Sequence, residues 1–349
     1  MNKYLYACLL VLVSTGMAFA GNPDRQGQAG AFELVLNPWA RSAGLHSMNT
    51  SSVRGLEAMR LNIAGLSRIN NTEVAIGHMI YLQGTGINMN AIGLAQRMSK
   101  NGVLGISLYA MDFGEIKVTN DDQPEGSGAY FSPSFFHLSM GYSQKFENKV
   151  SVGAMITLIS ESTAGVKSFG FGIDAGVQYV AGDQDEFKFG LSLRNVGSPM
   201  KFGGDGLTHQ VPGPDPGNPY EITVSKQAAS FELPSMLNIG LSYDFLFGSK
   251  NRLTALGNFT SNAFSRDQLG IGFEYSFNDM FALRAAYKAE LGKIDLNEIG
   301  KNIETGLSAG VSLDVPLSKK NQNIIGIDYA YRATNPFNGT HNLCLRISL

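Results

Sequence analysis

The chain has 349 residues, of which 44% are hydrophobic and 41 are glycine, with a formal net charge of −2. That length and apolar content exclude a small disulfide-stapled domain and a disordered chain. The balance of 27 basic against 29 acidic side chains excludes nucleic acid as a partner.

The first twenty residues, MNKYLYACLLVLVSTGMAFA, carry Lys3, an apolar run from Tyr6 to Val13 and the small-residue site Ala18-Phe19-Ala20. This is the pattern of an export signal, so residues 1–20 are predicted to be removed after Ala20. Leu5-Tyr6-Ala7-Cys8 has the outline of a lipoprotein box, but the four residues ahead of it leave no room for a charged region and a hydrophobic core. Loss of the leader removes Lys3 and Cys8, leaving 26 basic against 29 acidic side chains and Cys344 as a lone thiol. An intramolecular disulfide is therefore excluded. Beyond the leader no run of about eighteen apolar residues occurs, so any membrane crossing falls to strands.

Residues 21–71 lack strand alternation and carry short helical patterning around Ser52 to Met59. Phe32, Leu34, Leu36, Trp39, Leu56 and Leu66 would be left wet in a periplasmic tail, so this segment is expected to fold as a plug inside a barrel.

From Thr72 onward the hydrophobic period is two. Candidate strands fall near 72–82, 87–98, 102–112, 134–146, 149–160, 168–180, 187–194, 236–246, 252–260, 268–277, 281–288, 304–315, 323–331 and 342–349, fourteen in all. Most approach the nine to eleven residues, roughly, that a tilted strand needs to cross a bilayer. Connections alternate in length. Short ones lie at 99–101, 147–148, 181–186, 247–251, 278–280 and 315–322, and longer ones at 113–133, 161–167, 195–235, 261–267, 289–303 and 332–341. Outer-membrane barrels show this asymmetry, with short turns on the periplasmic side, and here only the short connection 83–86 breaks it. Phe146, Tyr179, Phe187, Phe245, Phe247, Tyr275, Phe277 and Phe281 flank short turns, as an interfacial aromatic girdle does. The expected fold is all-β: a fourteen-stranded antiparallel transmembrane barrel over 72–349, with an N-terminal plug over 21–71.

Two strands make the register explicit. In QLGIGFEYSFNDMFALRAAYK, from Gln268 to Lys288, Leu269, Ile271, Phe273, Tyr275 and Phe277 share one face, as do Phe281, Leu283, Ala285 and Tyr287. Pairing Phe277 with Phe281 across Asn278, Asp279 and Met280 sets Glu274 opposite Arg284 on the other face, which predicts a lumenal ion pair. A one-residue slip would carry Glu274 into hydrocarbon. The final HNLCLRISL places Leu343, Leu345, Ile347 and Leu349 outward and Cys344, Arg346 and Ser348 inward, a strand fit to close the barrel.

The run GQAGAFELVLNPWARSAG, from Gly27 to Gly44, and Leu61-Asn62-Ile63-Ala64-Gly65-Leu66 resemble the N-terminal region of PorV-type (PorV/PorQ) outer-membrane barrels of the type IX secretion system, within the FadL-like group of fourteen-stranded barrels. Arg41, Ala43 and Gly44 match one motif of that region, and Asn62, Gly65 and Leu66 match a second, in which Ile63 stands where the group has proline. Gly65 is expected to supply the tight bend. The resemblance implies a Bacteroidota outer-membrane protein that associates with a large translocon barrel and captures secreted proteins by their C-terminal signal domain. It implies no cofactor and no enzymatic activity.

Patterns with catalytic overtones read as structural. Gly306-Leu307-Ser308-Ala309-Gly310 fits a nucleophile elbow but lies inside a strand with no helix after it. Gly170, Gly172 and Gly176 likewise run through a strand rather than opening a helix. The histidines, His46, His78, His137, His209 and His341, show no metal-ligand spacing. The loop 195–235 holds six of the twelve prolines, and Met200, Phe202, Tyr220, Ile222 and Phe231 within it are candidate contacts for exported cargo on a stiffened outer surface. The competing expectation is a transporter of hydrophobic small molecules, which needs an apolar pocket beneath the outer loops.

Overall fold

The computed structural model describes residues 21–119, 121–213, 220–291, 303, 305–317, 323–334 and 337–349. The predicted leader, and the prolines within 214–219, lie outside the described residues.

Fourteen antiparallel strands form one closed barrel: Thr72–Ile80, Asn88–Arg97, Gly102–Asp112, Ser134–Phe146, Val150–Thr163, Val166–Ala181, Phe187–Gly197, Met236–Phe247, Asn251–Asn262, Gln268–Phe277, Phe281–Glu290, Gly306–Pro316, Ile324–Arg332 and Thr340–Ser348. Each pairs with its neighbours in sequence, and the last returns to the first, from Glu73 opposite Ser348 to Ile80 opposite His341. Closure leaves no sheet edge, which is what a strand needs in a medium that offers no hydrogen-bond partner. The apolar face of each strand points outward: Ile76, Ile92, Ile156, Ile271 and Leu343 are all exposed, as are the eight girdle aromatics. No described helix is long and apolar enough to cross a membrane.

Register in the tenth and eleventh strands is as the alternation requires, with Phe277 opposite Phe281 and Glu274 opposite Arg284. Asn278 and Asp279 take positive φ, 55° and 52°, to make the turn. One connection departs from expectation. Residues 161–167 do not form a longer outer loop, because Ala164 and Gly165 (φ 41° and 79°) make a tight two-residue turn and both flanking strands extend to meet it. Two consecutive left-handed residues match the twist of paired strands, and an alanine in the first position concealed that turn. A bulge interrupts the sixth and seventh strands, where Arg194 and Asn195 together oppose Asp174, whose Oδ1 accepts from Asn195 N at 2.7 Å.

The N-terminal segment threads the lumen. It contains one helical turn, Ala40–Ala43, and 3-10 turns at Phe32–Leu34, Gly55–Arg60 and Ile63–Arg68. The helical patterning expected from Ser52 begins at Gly55, because Arg54 is extended (φ −141°, ψ 156°). Trp39, Leu56, Met59, Leu61, Ile63 and Leu66 are buried against Ala75, Ala91, Ala95, Val103 and Tyr109 of the first three strands. The wall is shaped to receive them. A Cβ at Gly93 would meet the Leu56 side chain at 2.6 Å, and one at Gly141 would meet Ile63 Cδ1 at 2.7 Å. The small residues of the inward faces therefore mark where the plug lies closest.

The outer loops carry short hairpins of their own. Ile116–Lys117 pairs with Tyr130–Phe131, Met200–Lys201 with Ser230–Phe231, and Thr208–Pro212 with Glu221–Ser225.

Candidate functional site: the plug and the basic chamber beneath it

The plug is pinned by polar groups as well as packing. Arg41 Nε donates to Glu57 Oε1 at 2.8 Å, while Glu57 Oε2 accepts from Ser42 N at 3.0 Å and Ser42 Oγ at 2.7 Å. Burial pushes the Glu57 carboxyl up, but the Arg41 guanidinium and these hydrogen bonds outweigh it and hold it below its ordinary value of 4.5. Asn62 Oδ1 accepts from Ala64 N at 3.2 Å, and its Nδ2 donates to Thr50 O at 3.0 Å and to Val177 O of the wall at 3.1 Å. Ile63 opens the 3-10 turn that Asn62 caps, so the missing proline costs the turn nothing visible. Leu66 is fully buried against Gly105. Gly65 lies within this tight 3-10 turn at a negative φ, so its conformation does not demand glycine: it is required because a Cβ would collide with the carbonyl oxygen of Val53.

Ala43 is buried, and Gly44 touches the wall at Gly310, where a Cβ on Gly44 would stand 3.0 Å from Gly310 Cα. Ser308 Oγ donates to Gly44 O at 3.1 Å. The Gly306 to Gly310 pattern is thus a docking strip for the plug. Gly176 likewise receives Asn62 of the plug, whereas Gly170 and Gly172 receive Met200 and Leu233 of the outer loop.

Toward the outer end, Glu33 Oε1 lies 2.9 Å from His137 Nε2 of the wall. Arg60 donates to Leu36 O at 2.7 Å and Glu33 O at 2.5 Å, and Arg194 to Leu34 O at 3.1 Å. Above them, Leu36 joins Met79, Tyr81, Leu82, Met89 and Met111 in an apolar cluster beneath the outer connections, flanked by Phe113 and Phe135.

Below the plug, toward the short turns, a chamber of about 620 Å³ is lined by Arg41, Arg54, Glu57, Arg252, Glu274 and Arg284, with Lys100, Asn101, Lys145, Asn148, Gln184 and Asp185 at the turn end. Arg284 Nε meets Glu274 Oε2 at 2.6 Å, and Arg252 approaches the same carboxylate at 3.6 Å. A belt of charge continues around the wall, where Arg346 meets Asp314 at 2.6 Å and lies 3.9 Å from Asp328. Among the described residues no group of three or more His, Cys, Asp or Glu is placed to hold a metal.

The five loop candidates divide. Met200 is fully buried against Gly170, in a cluster with Leu34, Ile159 and Leu233, so it belongs to the core and is withdrawn from any binding surface. Phe231 packs on that cluster and on Phe202, with ring centroids 5.7 Å apart. Tyr220 and Ile222 are exposed on the outer hairpin. The sequence reading missed Glu57, Glu33 and Arg54. Residues 21–71 hold five arginines, Arg25, Arg41, Arg54, Arg60 and Arg68, against only Asp24, Glu33 and Glu57. That imbalance was the available signal, since arginines buried in a plug need partners.

No family model and no curated protein matches the chain. Solved structures do. The toluene transporter TodX of Pseudomonas putida superposes with a TM-score of 0.54 at 13% identity, over 89% of this chain and 97% of that one. The monoaromatic hydrocarbon channel CymD gives 0.54 at 16% identity over 91% and 98%, and the toluene transporter TbuX of Ralstonia pickettii 0.54 at 12% over 89% and 98%. At such identities the likeness is one of fold: this chain shares a closed fourteen-strand barrel architecture with those proteins.

Proposed function

We propose that the protein is an outer-membrane channel for small hydrophobic molecules, with the plug as its gate. The observation that carries this reading is the apolar cluster of Leu36, Met79, Met89 and Met111 between plug and wall, directly beneath the outer connections. Methionine is flexible and polarizable, so a surface built from three of them can repack around an apolar guest. The shared fold with hydrocarbon channels supports the reading. It gives the N-terminal motif a role too: Arg41, Gly44, Asn62 and Gly65 seat the plug that a passing molecule must shift.

A second reading has one observation in its favour. Tyr220 and Ile222 stand exposed on a paired outer hairpin, a surface suited to a protein partner. On this reading the barrel escorts secreted proteins by their C-terminal signal domains beside a large translocon barrel, as the N-terminal resemblance implies.

One experiment separates the two. The tagged barrel is purified from its own outer membrane in mild detergent, and everything retained is identified by mass spectrometry. A stoichiometric apolar small molecule that is lost on Met89→Glu supports the channel. Recovery of a translocon barrel and secreted proteins sharing a C-terminal domain, with no small molecule, refutes it in favour of the escort.

A further inference from the structure

The chamber beneath the plug is too basic for a passive vestibule. Nine cationic side chains line it against four carboxylates, Glu57, Asp185, Asp244 and Glu274. Each carboxylate already has a partner: Arg41 on Glu57, Lys188 on Asp244, Arg284 on Glu274 and, at the rim, Lys149 on Asp185 at 3.0 Å. Arg97 is also committed, clamping the backbone carbonyls of Ser67 and Asn70 at 3.1 and 2.6 Å.

What remains is positive and unsatisfied. The Arg54 guanidinium, carried into the chamber by the extended residue before the Gly55–Arg60 turn, has no hydrogen bond or ion pair among the described residues. Its side chain is open to the chamber, with the Arg41 and Arg252 cations close by. Arg252 reaches Glu274 and Asp279 only at 3.6 and 3.7 Å, and its buried Nε has no partner. Arg68 leaves Nε and Nη2 buried without partners as well. Unpaired buried donors cost free energy, and like charges within a protein-walled space repel more strongly than in open water. Both penalties vanish if an oxyanion with several acceptor atoms sits among them, because guanidinium groups bind carboxylate and phosphate through paired, charge-assisted hydrogen bonds.

We infer that this chamber is a binding site for a small multivalent oxyanion, a di- or tricarboxylate or a phosphate compound, that enters from the short-turn side and is held chiefly by Arg54 and Arg252. The anion bridges plug and wall, since Arg54 belongs to the plug and Arg252 to the ninth strand. Whatever crosses the barrel, this site is distinct from the apolar cluster at the outer end, so its test stands apart from that of the channel.

The test is calorimetric titration of the full-length barrel in a neutral detergent at low salt, using inorganic pyrophosphate and citrate as probes. A single saturable site is expected for at least one of them, weakened by added sodium chloride. Arg54→Gln should weaken it at least about tenfold, as loss of a charge-assisted pair does, while Lys117→Gln, on the outer hairpin and away from the chamber, changes it by less than about twofold. Retained heat-modifiable gel mobility certifies that both variants hold the barrel. Binding of pyrophosphate alone assigns a phosphate ligand and of citrate alone a carboxylate. The inference is overturned if neither binds, or if Arg54→Gln and Lys117→Gln weaken binding equally, which is the signature of diffuse surface charge.

Discussion

Glu57→Ala is the sharpest probe of how the plug is held. The substitution removes the carboxylate that pairs with Arg41 at 2.8 Å and accepts twice from Ser42, at 3.0 and 2.7 Å, all in a buried setting. Breaking a buried pair by deleting one partner costs about 3–5 kcal/mol, because the surviving charge is left without compensation. If that cost falls on the docked plug alone, the ratio of docked to released plug drops by roughly a hundred- to a few-thousandfold. The strand ladder of the barrel is untouched, since Arg41, Ser42 and Glu57 all belong to the plug segment. The assay is conductance of single barrels in a planar bilayer: wild type is expected to stay closed and Glu57→Ala to show long openings. The double variant Arg41→Met with Glu57→Met gives the control, because an apolar pair of similar volume removes the stranded charge and is often neutral or better. Closed Glu57→Ala channels, or a double variant as open as the single one, would refute the reasoning.

Four further outcomes follow from the same structure. Since Glu57 titrates below 4.5 in the docked plug, its stabilisation is complete above that pH and is lost as pH falls through the lower docked value; burial raises Glu33 instead, so its contribution is present at low pH and lost as pH rises. Plug docking, read as closed time in conductance, should therefore weaken as pH falls below 4.5 through Glu57 and as pH rises above 4.5 through Glu33, and Glu33→Gln should remove the second dependence only. Gly65→Ala should destabilise plug docking by about 1–3 kcal/mol through collision with Val53, read as protease sensitivity of the N-terminal segment. Ile271→Arg, on the lipid face, should cost roughly 2–4 kcal/mol in urea unfolding from lipid vesicles if it lies near the midplane. Met200→Ala should cost about 2–5 kcal/mol in the same assay, whereas Tyr220→Ala should leave stability within about 0.5 kcal/mol.

The strands, their number and their inward and outward faces were legible in the amino-acid sequence. Lipid imposes one rule at every second position, so Leu269 to Phe277 and Leu343 to Leu349 declare their outer face without reference to any other part of the chain. Glu274 opposite Arg284 follows from a local turn and that same period. The plug has no such period. Arg41 and Glu57 are sixteen residues apart in an irregular segment, and nothing local pairs them. Nor does a strand pattern say why Gly93, Gly141 and Gly310 are small, because the reason is a side chain or backbone from a distant stretch pressed against each. The same holds for Met200, which a proline-rich outer loop carries back into the core beside Gly170. The sequence alone thus determined a barrel, its register and the side that meets lipid. Only the tertiary structure decided where the plug sits, which arginines it satisfies and which it leaves facing an open chamber, since those contacts join residues whose only relation is that the closed barrel brings them together.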